Sequence, residues 1–287
     1  MKIVTDCAAD LPADEIQALD INVAPLYIRF PEGEFSSTDL TPDGFYDRLK
    51  AMAPAIPTTA QPSQGLFADL YRALSKAGED VLSIHISSGL SGTIQSARLG
   101  AQHTPESAVT VVDSMTLSGG QRVQVLAAAL AARAGWTRDA ILALLDRLRA
   151  STEVVFTLET LEYLARGGRI GRVQAIAGTL LNIKPVIHVS KADGKYSTVG
   201  KARTVQRGRD LIVDHLAHMF GADKPLWVTV MHGKFAEQAE LLAGAIKARL
   251  SVARLEMLRI SPVLGVHTGP GIVGAVAVPM GLMEGLI

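Results

Sequence analysis

Short apolar runs separated by stretches with a helical repeat constrain this chain more than any other feature. Runs at 2–6, 22–30, 80–86, 108–112 and 153–158 have the length and the Val/Ile content of strands. Between them, apolar residues return every three to four positions. A helix is expected over 42–52, with Thr41 as N-cap and Pro42 at the first helical position. Another is expected over 64–76, after Ser63 and stopping near Gly78, and a third over 93–102. The Ala-rich segment 116–134 stops at Gly135, and Thr137 caps 138–149. Strands alternating with helices imply right-handed crossovers and a mostly parallel sheet covered on both faces.

The pattern changes beyond residue 160. LEYLARGGRIG (161–171) reads as a helix ending in a glycine turn, followed by a helix over 172–181 and a strand over 183–190. Asp193-Gly194 reads as a hairpin turn into KYSTVG. Helices over 203–219 and 235–249 alternate with strands over 226–231 and 254–260, and GIVGAVAVPM (271–280) closes the pattern. A hairpin among alternating elements implies a mixed sheet. The expected class is α/β with two domains. Residues 1–155 form an N-terminal parallel-sheet α/β/α sandwich, and 156–287 a C-terminal α/β domain with a mixed sheet, the junction lying near 150–158. A length of 287 residues, 48% of them hydrophobic, suits two packed cores.

Charge and cysteine content exclude several function classes. Lys plus Arg is 28 and Asp plus Glu is 28, so no basic field attracts nucleic acid. Cys7 is the single cysteine, which rules out an intrachain disulfide and a thiolate metal cluster. MKIVTDCAADL already reads as a first strand, not as the apolar region of a signal peptide, and no apolar run approaches the ~18 residues of a spanning helix. A cytoplasmic protein is expected. The histidines show neither an i,i+4 pair nor HExxH, so no metal site is expected.

In open parallel sheets, ligands sit beyond the carboxyl ends of the strands. Three strands end there in small polar groups: Thr5, Asp6 and Cys7; Ser87 and Ser88; Asp113 and Ser114. Capping explains any one of these as well as a site does, whereas three together favour a shared site. SSGLSGTIQSA (87–97) lacks the Gly-Lys-Ser/Thr of a P-loop, the spacing of a dinucleotide fingerprint and the Gly-x-Ser-x-Gly of a nucleophile elbow. Its glycines allow close backbone approach, and the following helix start offers free N–H groups to a carboxylate or a phosphate. Three further turns stand out. IPTTAQPSQG (56–65) is an ordinary loop or a second polar turn. VHTGPGIVG (266–274) surrounds His267 with glycines. ARGGRIGR (165–172) is a solvated helix end, an anion contact or a partner-docking surface.

Taken together, these segments resemble the DegV family along the whole chain. The resemblance is carried by TDCAADL (5–11), PTTAQPS (57–63), SSGLSGTIQSA (87–97), DSMTLSGG (113–120), LEYLARGGRIG (161–171), KPVIHVSKADGK (184–195) and HTGPGIVG (267–274). It implies two α/β domains with a long-chain fatty acid between them. It also implies a lipid-binding subunit that is not itself an enzyme and carries no cofactor. Such a subunit presents the carboxylate to a separate fatty acid kinase for acyl-phosphate formation, in keeping with the missing P-loop. Carried onto this chain, Thr58, Thr59, Ser87, Ser88, Gly89 and His267 would hold the carboxylate, with Thr59 and Ser88 preferred, and Arg169 would serve the carboxylate end and kinase engagement.

Helices 116–134 and 172–181 are tunnel walls or ordinary core. A C16 tail buried at about 0.8 kcal/mol per methylene would contribute roughly 10 kcal/mol gross, so tail burial would dominate affinity. Partners implied are the fatty acid and the kinase, with no nucleic acid and with room for transient contact with a membrane surface. Two positions depart from the family pattern: Cys7 and Ala60 stand where relatives have serine. Two alternatives stay open: an acyl hydrolase using Ser88 or Ser91 with His267, and a lipid carrier or sensor without a kinase.

Overall fold

The computed structural model describes residues 1–75, 78–173 and 183–287. The first sheet holds β1 (Lys2–Asp6), β2 (Ile21–Ala24), β6 (Val81–His85) and β7 (Val109–Asp113). All pairs are parallel, in the order β2-β1-β6-β7. The expected strand over 22–30 is in fact two strands in different sheets. Pro25 has no N–H to give to a ladder, and the chain breaks there. Past it, β3 (Tyr27–Phe30) pairs antiparallel with β4 (Gly33–Ser36) and β5 (Thr58–Ala60) in a three-stranded sheet. Strands as short as β4 and β5 leave little periodic signal, and neither was expected.

Helices cover both faces of the parallel sheet. α1 (Ala13–Ala18) and α2 (Pro42–Ala51) come first, and Thr41 Oγ1 caps α2 by accepting the Gly44 N–H at 3.2 Å. α3 (Gln64–Ser75) and α4 (Thr93–Gln102) bury Phe67, Tyr71 and Ala97 against Val4 and Val81. α5 (Ser118–Arg133) and α6 (Arg138–Ser151) bury Val123, Leu126, Ile141 and Leu145 on the other face. This is the expected α/β/α sandwich.

The second sheet contains β8 (Glu153–Leu158), β9 (Lys184–Val189), β10 (Tyr196–Ala202), β11 (Leu226–His232), β12 (Val252–Arg259) and β13 (Ile272–Pro279). Its order is β10-β9-β8-β13-β11-β12, with β11 and β12 parallel and the remaining pairs antiparallel, so the sheet is mixed. The expected junction at 155/156 falls inside β8. We propose that the division lies just before Glu153, which keeps both sheets whole.

Three more helices are α7 (Glu162–Arg166), α8 (Val205–Phe220) and α9 (Ala236–Arg249). α8 and α9 cover one face of the second sheet through Ile212, Leu216, Leu242 and Ile246. α5 lies against its other face. A Cβ on Gly120 would meet Val154 Cγ2 at 2.6 Å, and one on Gly119 would meet Met231 Sδ at 3.0 Å, so these glycines set how closely α5 approaches. A further helix, α10 (Pro262–Thr268), occupies the segment read as the start of a glycine-rich turn. Pro262 opens it and Gly269, at φ 71°, ends it. The helix expected over 172–181 lies almost wholly outside the described residues, with 171–173 a 3-10 turn. No described helix is long and apolar enough to cross a membrane.

Candidate functional site

Strand alternation separates Thr58 from Thr59. In β5, Thr58 is exposed, while Thr59 turns inward toward α10. There Thr59 Oγ1 lies 2.9 Å from His267 Nε2. His267 is in the last turn of α10, and the glycine-arginine turn packs against it. A Cβ on Gly167 would overlap His267 Nδ1, so only glycine lets that backbone approach the ring. Burial, reinforced by the nearby Arg169 charge, pushes the His267 pKa down to about 4, and the ring is neutral at neutral pH. Nδ1 is buried without a partner among the described residues.

Arg169 reaches the same place through a helix C-cap. Gly168 takes φ 71° after α7, its N–H bonds to Ala165 O, and the Arg169 N–H bonds back to Leu164 O at 3.0 Å. The guanidinium donates through Nη1 to Gly167 O at 2.7 Å and through Nε to Leu90 O at 3.4 Å. Among the described residues it has no carboxylate partner.

The turn after β6 contributes Ser91. Its N–H bonds to Ser87 O at 3.0 Å, and its Oγ lies 2.8 Å from Thr93 Oγ1. A Cβ on Gly92 would come within 2.8 Å of the Gln61 amide, so this turn packs tightly on the Thr-Thr turn. Thr59, Ser91, Arg169 and His267 thus line one recess, whose other walls include Leu26, Ile86, Leu117 and Val263. A second recess shares Leu117, Tyr196 and Leu264 with it and continues along Val154, Phe156 and Met231 with almost no polar surface. Each encloses about 30 Å³ among the described residues.

The other expected residues do different work here. Ser87 is buried, and its Oγ donates to Gly194 O at 2.8 Å. A Cβ on Gly89 would sit 2.6 Å from Asp193 O. Both residues dock the β9–β10 hairpin turn onto the first sheet. Ser88 is exposed, and its N–H faces the Asp113 carboxylate at 3.3 Å. The serine of this turn that lines the recess is therefore Ser91, weighed in sequence only as a nucleophile. No local signal distinguishes three serines in a five-residue turn. The hydrolase arrangement is not assembled: Thr59, not Ser88 or Ser91, is hydrogen-bonded to His267.

The strand ends beside the site are anchors. Asp6 is fully buried and accepts from His85 Nδ1 and the Ile86 N–H, each at 2.9 Å. Cys7 Sγ accepts the Leu26 N–H at 3.2 Å, and burial pushes its thiol pKa up to about 12, so it is an uncharged backbone partner. A larger cleft of about 410 Å³ is lined by Cys7, Asp10, Ile16, Leu40, Arg259 and Ser261. Burial raises the Asp10 pKa to about 6, against hydrogen bonds from Ser118 and Ser261.

Comparison with known proteins agrees with this arrangement of turns and sheets. The DegV family model matches residues 1–280. A DegV domain-containing protein of Deinococcus radiodurans is 39% identical over 260 residues, covering 91% of this chain and 90% of that one. A fatty-acid-binding DegV family protein from Thermus thermophilus superposes with a TM-score of 0.90 at 36% identity, covering 97% of this chain and 99% of that one. A stearic-acid-binding protein from Eubacterium ventriosum superposes with a TM-score of 0.87 at 27% identity, covering 97% and 98%. With the family pattern matched from the first strand through the last, this chain belongs to the DegV family.

Proposed function

We propose that this chain binds a long-chain fatty acid with its carboxylate beside Thr59, Ser91 and His267 and its tail in the apolar recesses, and presents it to a separate kinase. The observation that carries the reading is the Thr59–His267 pair at the polar end of an otherwise apolar recess. Relatives of the same fold described as fatty-acid-binding supply the ligand class. A carboxylate leaving water needs donors to offset lost hydration, and hydroxyls with a neutral imidazole provide them. Arg169 stands at the same end, with its guanidinium committed only to backbone carbonyls among the described residues. It biases the site toward an anion.

No phosphate-binding loop is present in the sequence, so phosphoryl transfer to the carboxylate would require ATP and catalytic groups from a partner. Hydrogen bonds, in place of a tight ion pair, would leave the carboxylate oxygen nucleophilic. Native mass spectrometry of the purified chain tests binding: one co-purifying or added C16–C18 acid per chain is expected. No bound acid and no measurable affinity would end the reading. Acyl-phosphate formation with a bacterial fatty acid kinase and ATP tests presentation; its absence with a binding-competent chain leaves a carrier.

A further inference from the structure

Glu153, His188 and His215 meet on the face of the second sheet turned away from the acyl recesses. The two-residue strand period puts them there. On β8, Val154 and Phe156 line the recess side, so Glu153 and Val155 face α8. On β9, Ile187 and Val189 belong to the recess-side core, and His188, paired opposite Val155, faces α8 as well. α8 lays His215 over both. Glu153 Oε1 lies 2.9 Å from His188 Nδ1 and 2.8 Å from His215 Nε2. The Glu153 carboxylate is 2% exposed, and the imidazoles are 24% and 16% exposed. Lys191 Nζ stands 3.5 Å from the other oxygen, Oε2, and donates to Ala150 O at 2.9 Å.

We infer that Glu153, His188 and His215 form a binding site for one borderline divalent cation of the Zn²⁺ class. Two imidazole nitrogens and a carboxylate oxygen are the donor types such a cation prefers, and the three ligand atoms already lie within 4.8 Å of one another. A tetrahedral Zn²⁺ with bonds of about 2.0–2.1 Å sets its ligand atoms roughly 3.3 Å apart, so the two Glu153–histidine contacts, at 2.9 and 2.8 Å, each open by about half an ångström. Water completes the tetrahedron from the partly exposed histidine side. Each ring turns a lone pair to the cation by carrying a proton only on the opposite nitrogen, Nε2 of His188 and Nδ1 of His215. All three ligands stand on regular elements, two strands and a helix, so they are preorganised. The cation pins α8 to the strands whose opposite face walls the acyl recess. Sequence reading expected no metal site because these ligands are scattered over 63 positions, without a helical pair.

Titration of tag-free, metal-stripped full-length chain with ZnCl₂ by calorimetry tests the site. One equivalent is expected, with a rise in thermal midpoint. His188→Asn and His215→Gln should each weaken binding by at least about tenfold and remove the thermal shift. Histidine side-chain ¹⁵N spectra of the unmodified chain give a readout independent of variant folding. The His188 and His215 nitrogens should shift together and saturate at one equivalent. Absence of stoichiometric binding, undiminished binding in the two variants, or shifts confined to other histidines would overturn the assignment.

Discussion

Thr59 and His267 stand 208 positions apart in the chain and 2.9 Å apart at Oγ1 and Nε2. One comes from the short edge strand β5, the other from the last turn of α10. Their meeting closes the polar end of a recess whose other walls include Ile86, just past β6, and Tyr196 of β10. If this pair and Ser91 hold a carboxylate, each lost hydrogen bond to the charged group costs about 1.5–3 kcal/mol, roughly ten- to hundredfold in affinity. Thr59→Val, Ser91→Ala and His267→Ala should each show this in displacement of a fluorescent fatty acid. Thr58→Val and Ser88→Ala, at exposed positions, should stay within about twofold. Equal losses at Ser88 and Ser91 would refute the placement.

The depressed His267 pKa has a definite sign for stability. The unfolded chain takes up the proton near the ordinary histidine value of 6.5, whereas the folded chain resists until about 4. Stability from this residue is full above pH 6.5 and is lost as pH falls toward 4, by no more than about 3 kcal/mol. Urea midpoints at pH 7, 5.5 and 4.5 should therefore fall more steeply for the unmodified chain than for His267→Gln. Identical slopes would show that this ring does not titrate as its burial requires.

Gly194 carries the hairpin turn into the first sheet at φ 64°, and a Cβ there would overlap Ser87 Oγ. Gly194→Ala should destabilise by about 3 kcal/mol, combining left-handed strain with overpacking. Ser87→Ala removes the hydroxyl that is struck, so the double variant should be less destabilised than the sum of the singles by about 1 kcal/mol or more. Chemical denaturation of the four proteins in the cycle measures this. Simple additivity would mean that the turn does not seat on Ser87.

Arg122 on α5 is 1% exposed and donates to Glu15 of α1 through Nε at 2.8 Å and to Glu256 of β12 through Nη1 at 2.7 Å. Arg122→Leu should cost about 3–5 kcal/mol, because it strands two partly buried carboxylates. Adding Glu15→Gln and Glu256→Gln should restore much of the loss. A triple variant as unstable as the single one, measured by thermal denaturation, would assign the cost to packing alone.

What the sequence by itself determined is local. The apolar runs marked β1, β6, β7 and β8, and Thr41 and Thr137 marked the starts of α2 and α6, because caps and strand length are properties of a few neighbouring residues. The Asp193-Gly194 hairpin and the mixed second sheet were legible for the same reason. Pro25 carried the break between β2 and β3, but nothing local said that the two strands would join different sheets. Thr59, His267 and Arg169 were singled out through the family resemblance, and the fold brings them to one recess. Ser91 and the Glu153–His188–His215 cluster required the tertiary structure. Which face a side chain takes depends on strand parity and on the element packed against it, and that pairing is made by residues far apart in the chain.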